Sequence, residues 1–214
     1  VSSFLGNFIE WFDYASYSYF ATTIALVFFP TDNHTVAMLQ TFGVFALSFI
    51  LRPIGALFWG SYGDKKGRKA ALAHSIMFMS GASFLIGCLP SYSVIGVGAP
   101  ILLLLLRMVQ GFSASGEYAG AATFLGEYAP TSKRGIYCSL IPASTAIGLL
   151  AGSTLATLMT ANMNSSAMVG WGWRVPFLLA GPLGLIVLYI RAKLADSPVY
   201  QSMNDALESK GAAS

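Results

Sequence analysis

The segment Gly60–Lys69, with the sequence GSYGDKKGRK, separates two long apolar stretches at residues 37–60 and 71–89. It combines three glycines, one aspartate and four basic residues within ten positions. A short, strongly basic connection between apolar stretches is typical of a cytosolic loop between two membrane-spanning helices. Its glycines predict a tight turn.

The composition of the whole chain agrees with a membrane protein. Of the 214 residues, 55% are hydrophobic and 10% are charged, whereas soluble domains have about 25% charged residues. This composition argues against a soluble globule, a disordered chain and a nucleic-acid-binding module. The net charge of the chain is +3. Because lipid leaves backbone polar groups without partners, the spans are expected to be helices. The predicted fold class is therefore an all-α membrane protein.

Six stretches are long enough to cross a hydrocarbon core of about 30 Å at 1.5 Å per residue. They cover residues 4–29, 37–60, 71–89, 99–126, 136–160 and 174–192. The predicted organisation is a bundle of six transmembrane helices over residues 1–193. Residues 194–214 are expected to form a cytosolic tail or a linker to a further bundle.

The distribution of basic residues predicts the orientation of these spans. Nine of the twelve lysines and arginines follow the second, fourth and sixth spans, and Arg191 is counted among them as an anchor of the tail. The opposite loops, at residues 30–36, 90–98 and 161–173, contain neither lysine nor arginine. Basic loops remain in the cytosol, so both termini are expected to be cytosolic.

Charged residues inside predicted spans are functional candidates, because lipid excludes charge. Five are present, with a summed charge of −1: Glu10, Asp13, Arg52, Arg107 and Glu117. On the first helix, Asn7, Glu10, Tyr14 and Tyr17 form one stripe with Asp13 at its edge. Two carboxylates one turn apart in a low dielectric are not both expected to be ionised, so one of them is a candidate proton carrier. Alternatively, one or both are acids at the cytosolic helix terminus, where the helix dipole stabilises them.

The fourth span provides further candidates. Arg107 lies about eight residues from the outer end, too deep to reach the interface easily. It is expected to bind a carboxylate of a solute, or to form a structural pair with Glu117 or Asp13. Gln110 and Glu117 share one face of this helix, and Glu117 is a third candidate proton carrier. Arg52 either contributes to binding or extends to the cytosolic interface.

The segment Gly60–Lys69 resembles in full the loop signature of the major facilitator superfamily, G-x-x-x-D-[RK]-x-G-R-[RK], at the expected place between spans two and three. The run Arg107-x-x-Gln110-Gly111 resembles the motif of the fourth helix that is linked to proton coupling in this superfamily. Glu127–Gly135 resembles the loop that follows that helix. The resemblance implies a cytosolic gate formed by Gly60, Asp64, Gly67, Arg68, Glu127 and Arg134.

A finer resemblance to the metabolite:H+ symporter family extends over essentially the whole chain. It is carried by Gly6–Asp13, Phe28–Pro30, Leu51–Gly55, Gln110–Ser113, Gly116–Tyr118 and Trp171–Phe177. The run Gly111–Pro130 is most similar to the proline/betaine type within that family. This resemblance implies proton-coupled uptake of a small organic solute, most simply a zwitterion.

The resemblance, together with the side-chain chemistry, assigns roles to the candidates. Asp13 would be the preferred candidate for the proton-coupling residue, and Glu10 and Glu117 would be the next candidates. Arg107 and then Arg52 would meet the solute's carboxylate, Tyr14 and Tyr17 would face its ammonium group by cation–π contact, and Gln110 and Asn7 would line the path. A di- or tricarboxylate such as 2-oxoglutarate or citrate is an alternative that needs more fixed positive charge.

The length of the chain departs from the family, which has twelve helices in two halves. The chain resembles the N-terminal half only, so a C-terminal six-helix half is the expected partner. A half-protein that does not transport is the remaining alternative. The sequence offers no metal-ligand cluster, nucleophile–base pair or phosphate loop, and neither a cofactor nor an enzymatic activity is expected.

Overall fold

A computed structural model describes residues 2–193, and the predicted tail 194–214 lies outside the described residues. Ten α-helices form the described chain, in the order α1 (Ser2–Tyr19), α2 (Ala21–Phe28), α3 (His34–Ile50), α4 (Arg52–Lys66), α5 (Arg68–Cys88), α6 (Tyr92–Ile95), α7 (Gly98–Tyr128), α8 (Arg134–Asn162), α9 (Ser165–Gly170) and α10 (Val175–Ala192). Two single 3-10 turns precede α8 and α10.

Five of the predicted spans are long and apolar enough to cross a membrane, judged by length and composition. They cover His34–Lys66, Arg68–Cys88, Gly98–Glu127, Thr131–Asn162 and Gly172–Ala192. The predicted span at residues 4–29 corresponds to α1 and α2. The polar stripe of α1 lowers the hydropathy of this span. The helical hydrogen bonds nevertheless continue from α1 into α2, because the Phe20 N–H donates to the Ser16 carbonyl at 3.0 Å and the Ile24 N–H donates to the Phe20 carbonyl at 2.8 Å.

The second span is interrupted at Leu51, between α3 and α4. Pro53 follows at the first turn of α4, where its missing N–H costs nothing and its ring clashes with the preceding turn. The second span is therefore divided into two helices at this position.

The predicted glycine-rich turn at Gly60–Lys69 is wrong in extent. Residues up to Lys66 continue α4, and α5 begins at Arg68. Only Gly67 is non-helical, with φ of 95°, a conformation that favours glycine. The charged groups extend the helices because Arg68 pairs with Asp64 across the turn at 2.8 Å.

The helices pack around α1 and α7. Helix α1 packs on α8 and α10, whereas α7 packs on α3, α4 and α5. One apolar cluster includes Tyr17 and Leu103, and a second includes Ile9 and Ala114. Residues 10–13 of α1 and 107–110 of α7 lie between the two clusters along their helices. These residues form a polar layer between two apolar regions.

Close approach of α3 and α7 is required at Gly111. A Cβ atom added there would collide with the backbone carbonyl of Ser48, whereas one added at Gly81 of α5 would meet no atom within 4 Å. Replacing Gly111 with Ala is expected to lower the free energy of unfolding by about 1–3 kcal/mol. Gly81→Ala, the control, is expected to leave it unchanged or to raise it by up to about 1 kcal/mol. Denaturant unfolding of the purified full-length gene product measures both, and equal stabilities would contradict the packing.

Candidate functional site

Among residues 2–193, three ion pairs lie inside the helix bundle. Each joins a carboxylate to an arginine: Asp13 to Arg107, Glu10 to Arg52, and Glu117 to Arg191. The sequence prediction of a residual charge of −1 is thus corrected, because Arg191 is buried within α10 and supplies the missing positive charge. Burial of a paired charge is far less costly than burial of a single one.

The pair of Asp13 and Arg107 joins α1 to α7 at the polar layer. Arg107 Nη1 donates to Asp13 Oδ2 at 2.7 Å, and Gln110 Nε2 donates to Asp13 Oδ1 at 3.1 Å. Gln110 also donates to Ser83 Oγ of α5. All four side chains are buried. The geometry brings together three of the predicted residues, and both oxygens of the Asp13 carboxylate accept a hydrogen bond from α7.

Aromatic rings complete the surroundings of Arg107. Its guanidinium carbon lies 3.8 Å from the centroid of the Tyr17 ring, a cation–π contact. Tyr17 is held in place by its hydroxyl, which donates to the Thr41 carbonyl at 2.9 Å. Among the described residues, Nε and Nη2 of Arg107 and Oε1 of Gln110 have no hydrogen-bond partner. These atoms are available to a polar ligand or water that enters the layer.

The second pair lies nearer the surface of the bundle. Arg52 Nη2 donates to Glu10 Oε1 at 2.6 Å and also to the Tyr14 hydroxyl. Glu10 is buried, while 28% of the Arg52 side chain is exposed. The alternative prediction, in which Arg52 extends to the cytosolic interface, is wrong. Its guanidinium instead bonds to the Glu10 carboxylate and the Tyr14 hydroxyl of α1.

An aromatic cavity of about 580 Å³ opens beside this second pair. It lies between α1, α3 and α8 and is lined by Trp11, Tyr14, Tyr19, Phe45, Phe49 and smaller side chains. Tyr14 packs edge-on against Trp11 and Phe45, with ring centroids 5.8 and 5.5 Å apart. An aromatic wall beside a buried carboxylate has the chemistry to bind an organic cation.

The third pair differs from the other two. Arg191 Nη1 donates to Glu117 Oε2 at 3.0 Å, and Nη2 donates to Glu117 Oε1, so the contact is bidentate. Ser75 Oγ donates to the same carboxylate at 3.2 Å, and Arg191 donates to the Leu72 carbonyl. The carboxylate of Glu117 is thus fully engaged between α5, α7 and α10. Of the two predicted partners of Arg107, the structure shows Asp13 and not Glu117.

Asn7 faces α8. Its Nδ2 donates to the Ile141 carbonyl at 3.1 Å and to Ser144 and Thr145 hydroxyls at 2.8 Å each. Asn7 is fully buried at this helix contact. Its amide therefore joins α1 to α8. None of these hydrogen bonds involves Arg107 or Arg52, and the role of Asn7 in solute binding stays a prediction.

A family model described as "Sugar (and other) transporter" matches residues 1–214. The chain belongs to this family. Curated relatives of this sugar transporter family member include a proline/betaine transporter of Salmonella typhimurium, 44% identical over 95% of the chain. They also include the glycine betaine/proline/ectoine/pipecolic acid transporter OusA of Dickeya dadantii, likewise 44% identical. The chain spans 41% of the length of each of these two relatives.

Solved structures show the fold of the family member. The E. coli xylose transporter XylE in a partially occluded inward-open conformation matches 95% of the chain with a TM-score of 0.85 and 18% sequence identity. The chain covers 49% of that protein. The fold is therefore that of one half of a major facilitator superfamily protein, as the sequence predicted, and the chain is a multi-pass membrane protein of a transporter family rather than an enzyme.

The loop signature of the family lies at one end of this half. Arg68 bonds to Asp64 at 2.8 Å and its Nε lies 4.0 Å from Glu127 Oε1, which joins the start of α5 to the end of α7. Lys69 Nζ donates to the Ala192 carbonyl of α10 at 3.0 Å. The predicted basic segments that the structure describes are thus together at one end. Gly60 lies on α4 and Arg134 is exposed at the start of α8, and their role in a gate stays a prediction.

Sequence reasoning missed several partners of the site, above all Arg191, Ser83 and Phe45. Arg191 was assigned to the tail, although it falls within the predicted span 174–192 and the unbalanced charge of −1 called for a further cation. Ser83 and Phe45 carry no comparable signal, since small hydroxyls and phenylalanines are common in membrane helices.

Proposed function

We propose that the chain is the N-terminal half of a proton-coupled symporter that takes up a small zwitterionic solute, of the proline or glycine betaine type. The observation that carries the proposal is the buried group of Asp13, Arg107 and Gln110 at the contact of α1 with α7. The names of the relatives at 44% identity support the choice of solute.

Asp13 is the proposed proton-coupling residue. Two donors hold its carboxylate, and a proton that binds there removes the charge that retains Arg107. The released guanidinium, with Nε and Nη2 already without described partners, is then available to a carboxylate of the solute. Protonation of Asp13 and binding of solute thereby favour each other. Glu10 is the second candidate, and Glu117 is the least suited because Arg191 engages both of its oxygens.

The charge balance of this half favours a zwitterion over a di- or tricarboxylate. Arg52, Arg107 and Arg191 are each matched by one carboxylate, so these three ion pairs provide no surplus positive charge. A zwitterion adds no net charge to the site, whereas a tricarboxylate brings three negative charges that need partners.

We place both termini and the end that bears Asp64, Arg68 and Glu127 in the cytosol of a bacterial cell, with the protein in the inner membrane. The concentration of lysine and arginine at that end supports this orientation. The proposed partner is a second six-helix bundle, against which this half moves so that the solute site opens alternately to each side.

Uptake into proteoliposomes tests the proposal. The full-length gene product is reconstituted, and labelled glycine betaine, proline and 2-oxoglutarate are supplied with and without an inside-alkaline pH gradient. We expect the two zwitterions to accumulate, by about tenfold per unit of gradient for one coupled proton, and 2-oxoglutarate to remain outside. An ionophore that collapses the gradient is the control. Equal rates with and without the gradient would refute proton coupling, and preferential uptake of 2-oxoglutarate would refute the solute class.

A further inference from the structure

The guanidinium of Arg52 occupies a face built for an organic cation. Its central carbon lies 4.6 Å from the centroid of the Phe49 ring and 5.3 Å from that of Tyr14. On the remaining side the Glu10 carboxylate accepts from Nη2 at 2.6 Å. Two rings and one buried carboxylate around a positive carbon are the groups that recognise quaternary ammonium ligands.

The bonds of Arg52 leave this face open to exchange. A single nitrogen, Nη2, donates both to Glu10 and to Tyr14, and Nε has no hydrogen-bond partner among residues 2–193. Arg52 is also half-exposed, whereas Glu10 is 2% exposed and fixed on α1. Oε2 of Glu10 is buried without a described partner. The cation can therefore leave by rotation of its long side chain, while the carboxylate and rings remain in place.

The adjoining cavity provides room for the incoming group. Tyr14 and Phe49, which contact Arg52, also line the cavity of about 580 Å³ together with Trp11 and Phe45. Buried Nε1 of Trp11 has no partner among the described residues. The rings that hold the internal cation are thus continuous with a wall that faces open space.

We propose that Arg52 is an internal stand-in for the solute's cation, and that a quaternary or secondary ammonium group displaces it from Glu10, Tyr14 and Phe49. This rests on the proposed function, and it names the group of the zwitterion that this half recognises. The exchange conserves charge at Glu10, because one monovalent cation replaces another. The solute can then bind only when Arg52 leaves this site. The arginine therefore excludes cations that bind Glu10, Tyr14 and Phe49 too weakly to displace it.

Equilibrium binding of tetramethylammonium tests the exchange, since this probe has the cation but no carboxylate. Labelled tetramethylammonium is dialysed against the purified full-length gene product at one fixed pH for all variants. Arg52→Gln removes the internal competitor and is expected to tighten binding at least threefold. Phe49→Leu removes one ring and is expected to weaken it about threefold to tenfold.

The matched control is Phe78→Leu, which removes an exposed ring of α5 and is expected to leave the affinity unchanged. Unchanged or weaker binding of tetramethylammonium by Arg52→Gln would overturn the proposal. Equal affinities of Phe49→Leu and Phe78→Leu would also overturn it. So would the absence of binding to both the wild type and Arg52→Gln. Binding is measured without a gradient, so a protein that binds as expected but fails to accumulate solute would refute proton coupling and leave the cation site standing.

Discussion

Replacing Glu117 with Gln is expected to lower the free energy of unfolding by about 3–5 kcal/mol, because it leaves Arg191 buried without a counter-charge. Arg191 and Glu117 are 2% and 1% exposed. Gln has nearly the same shape as Glu, so the loss comes from charge and not from a cavity. Denaturant unfolding of the purified full-length gene product, followed by circular dichroism, measures the change.

The surroundings of the pair explain why relaxation should recover little of this loss. A Cβ atom added at Gly6 of α1 would collide with Glu117 Oε1 and Arg191 Nη2, so α1 is packed directly on the pair. The guanidinium also donates to the Leu72 carbonyl of α5. Helices α1, α5, α7 and α10 thus enclose the arginine, and water has little room to replace the carboxylate.

Two further variants separate charge from packing. The double substitution of Glu117 and Arg191 by Gln and Met removes both charges and is expected to recover most of the stability, because a buried ion pair can be replaced by neutral groups at little cost. Asp64→Asn breaks the pair with Arg68, in which 66% of the aspartate side chain is exposed, and is expected to cost less than about 1 kcal/mol. A loss for Glu117→Gln as small as that for Asp64→Asn would contradict a buried pair.

The fold was predictable because its signals are local and redundant. A stretch such as residues 71–89 has the length and the hydropathy of a span, and α5 occupies Arg68–Cys88. The spacing of Gly60, Asp64, Gly67 and Arg68 identified the superfamily. The predicted turn was longer than the observed one because glycine and aspartate disfavour helices in isolation, whereas Asp64 pairs with Arg68 at the end of α4 and the helix continues to Lys66.

The site was predictable only in part, because helical periodicity gives the face of a residue but not the helix that the face meets. Asp13, Arg107 and Gln110 were recognised as candidates from depth and charge, and the structure brings them together. Asn7 shares the stripe of Glu10, yet it lies at the contact of α1 with α8 and donates to Ser144. Partners that are more than a hundred positions apart in the chain leave no mark in a single sequence.

Replacing Asp13 with Asn is expected to abolish accumulation against a gradient while equilibrium exchange of solute persists. One proton that moves down one pH unit supplies about 1.4 kcal/mol, enough for tenfold accumulation. Asn cannot bind that proton at neutral pH, so the ratio of inside to outside solute should fall to about one. Oδ1 of the amide still accepts from Arg107, and Gln110 can turn its unpartnered Oε1 toward the new N–H group, so the contact of α1 with α7 is expected to survive.

The control for this variant is Asp32→Asn, the same substitution at an exposed position between α2 and α3, which is expected to accumulate solute like the wild type. Counterflow, in which labelled solute exchanges with unlabelled solute at equal concentration, shows whether Asp13→Asn still binds and moves its solute. Retained counterflow with lost accumulation assigns the proton to Asp13, because a folding defect would abolish both. If Asp13→Asn instead accumulates solute as Asp32→Asn does, the proton must be carried elsewhere, and Glu10 becomes the residue to replace next, since Oε2 of that carboxylate is buried without a described partner.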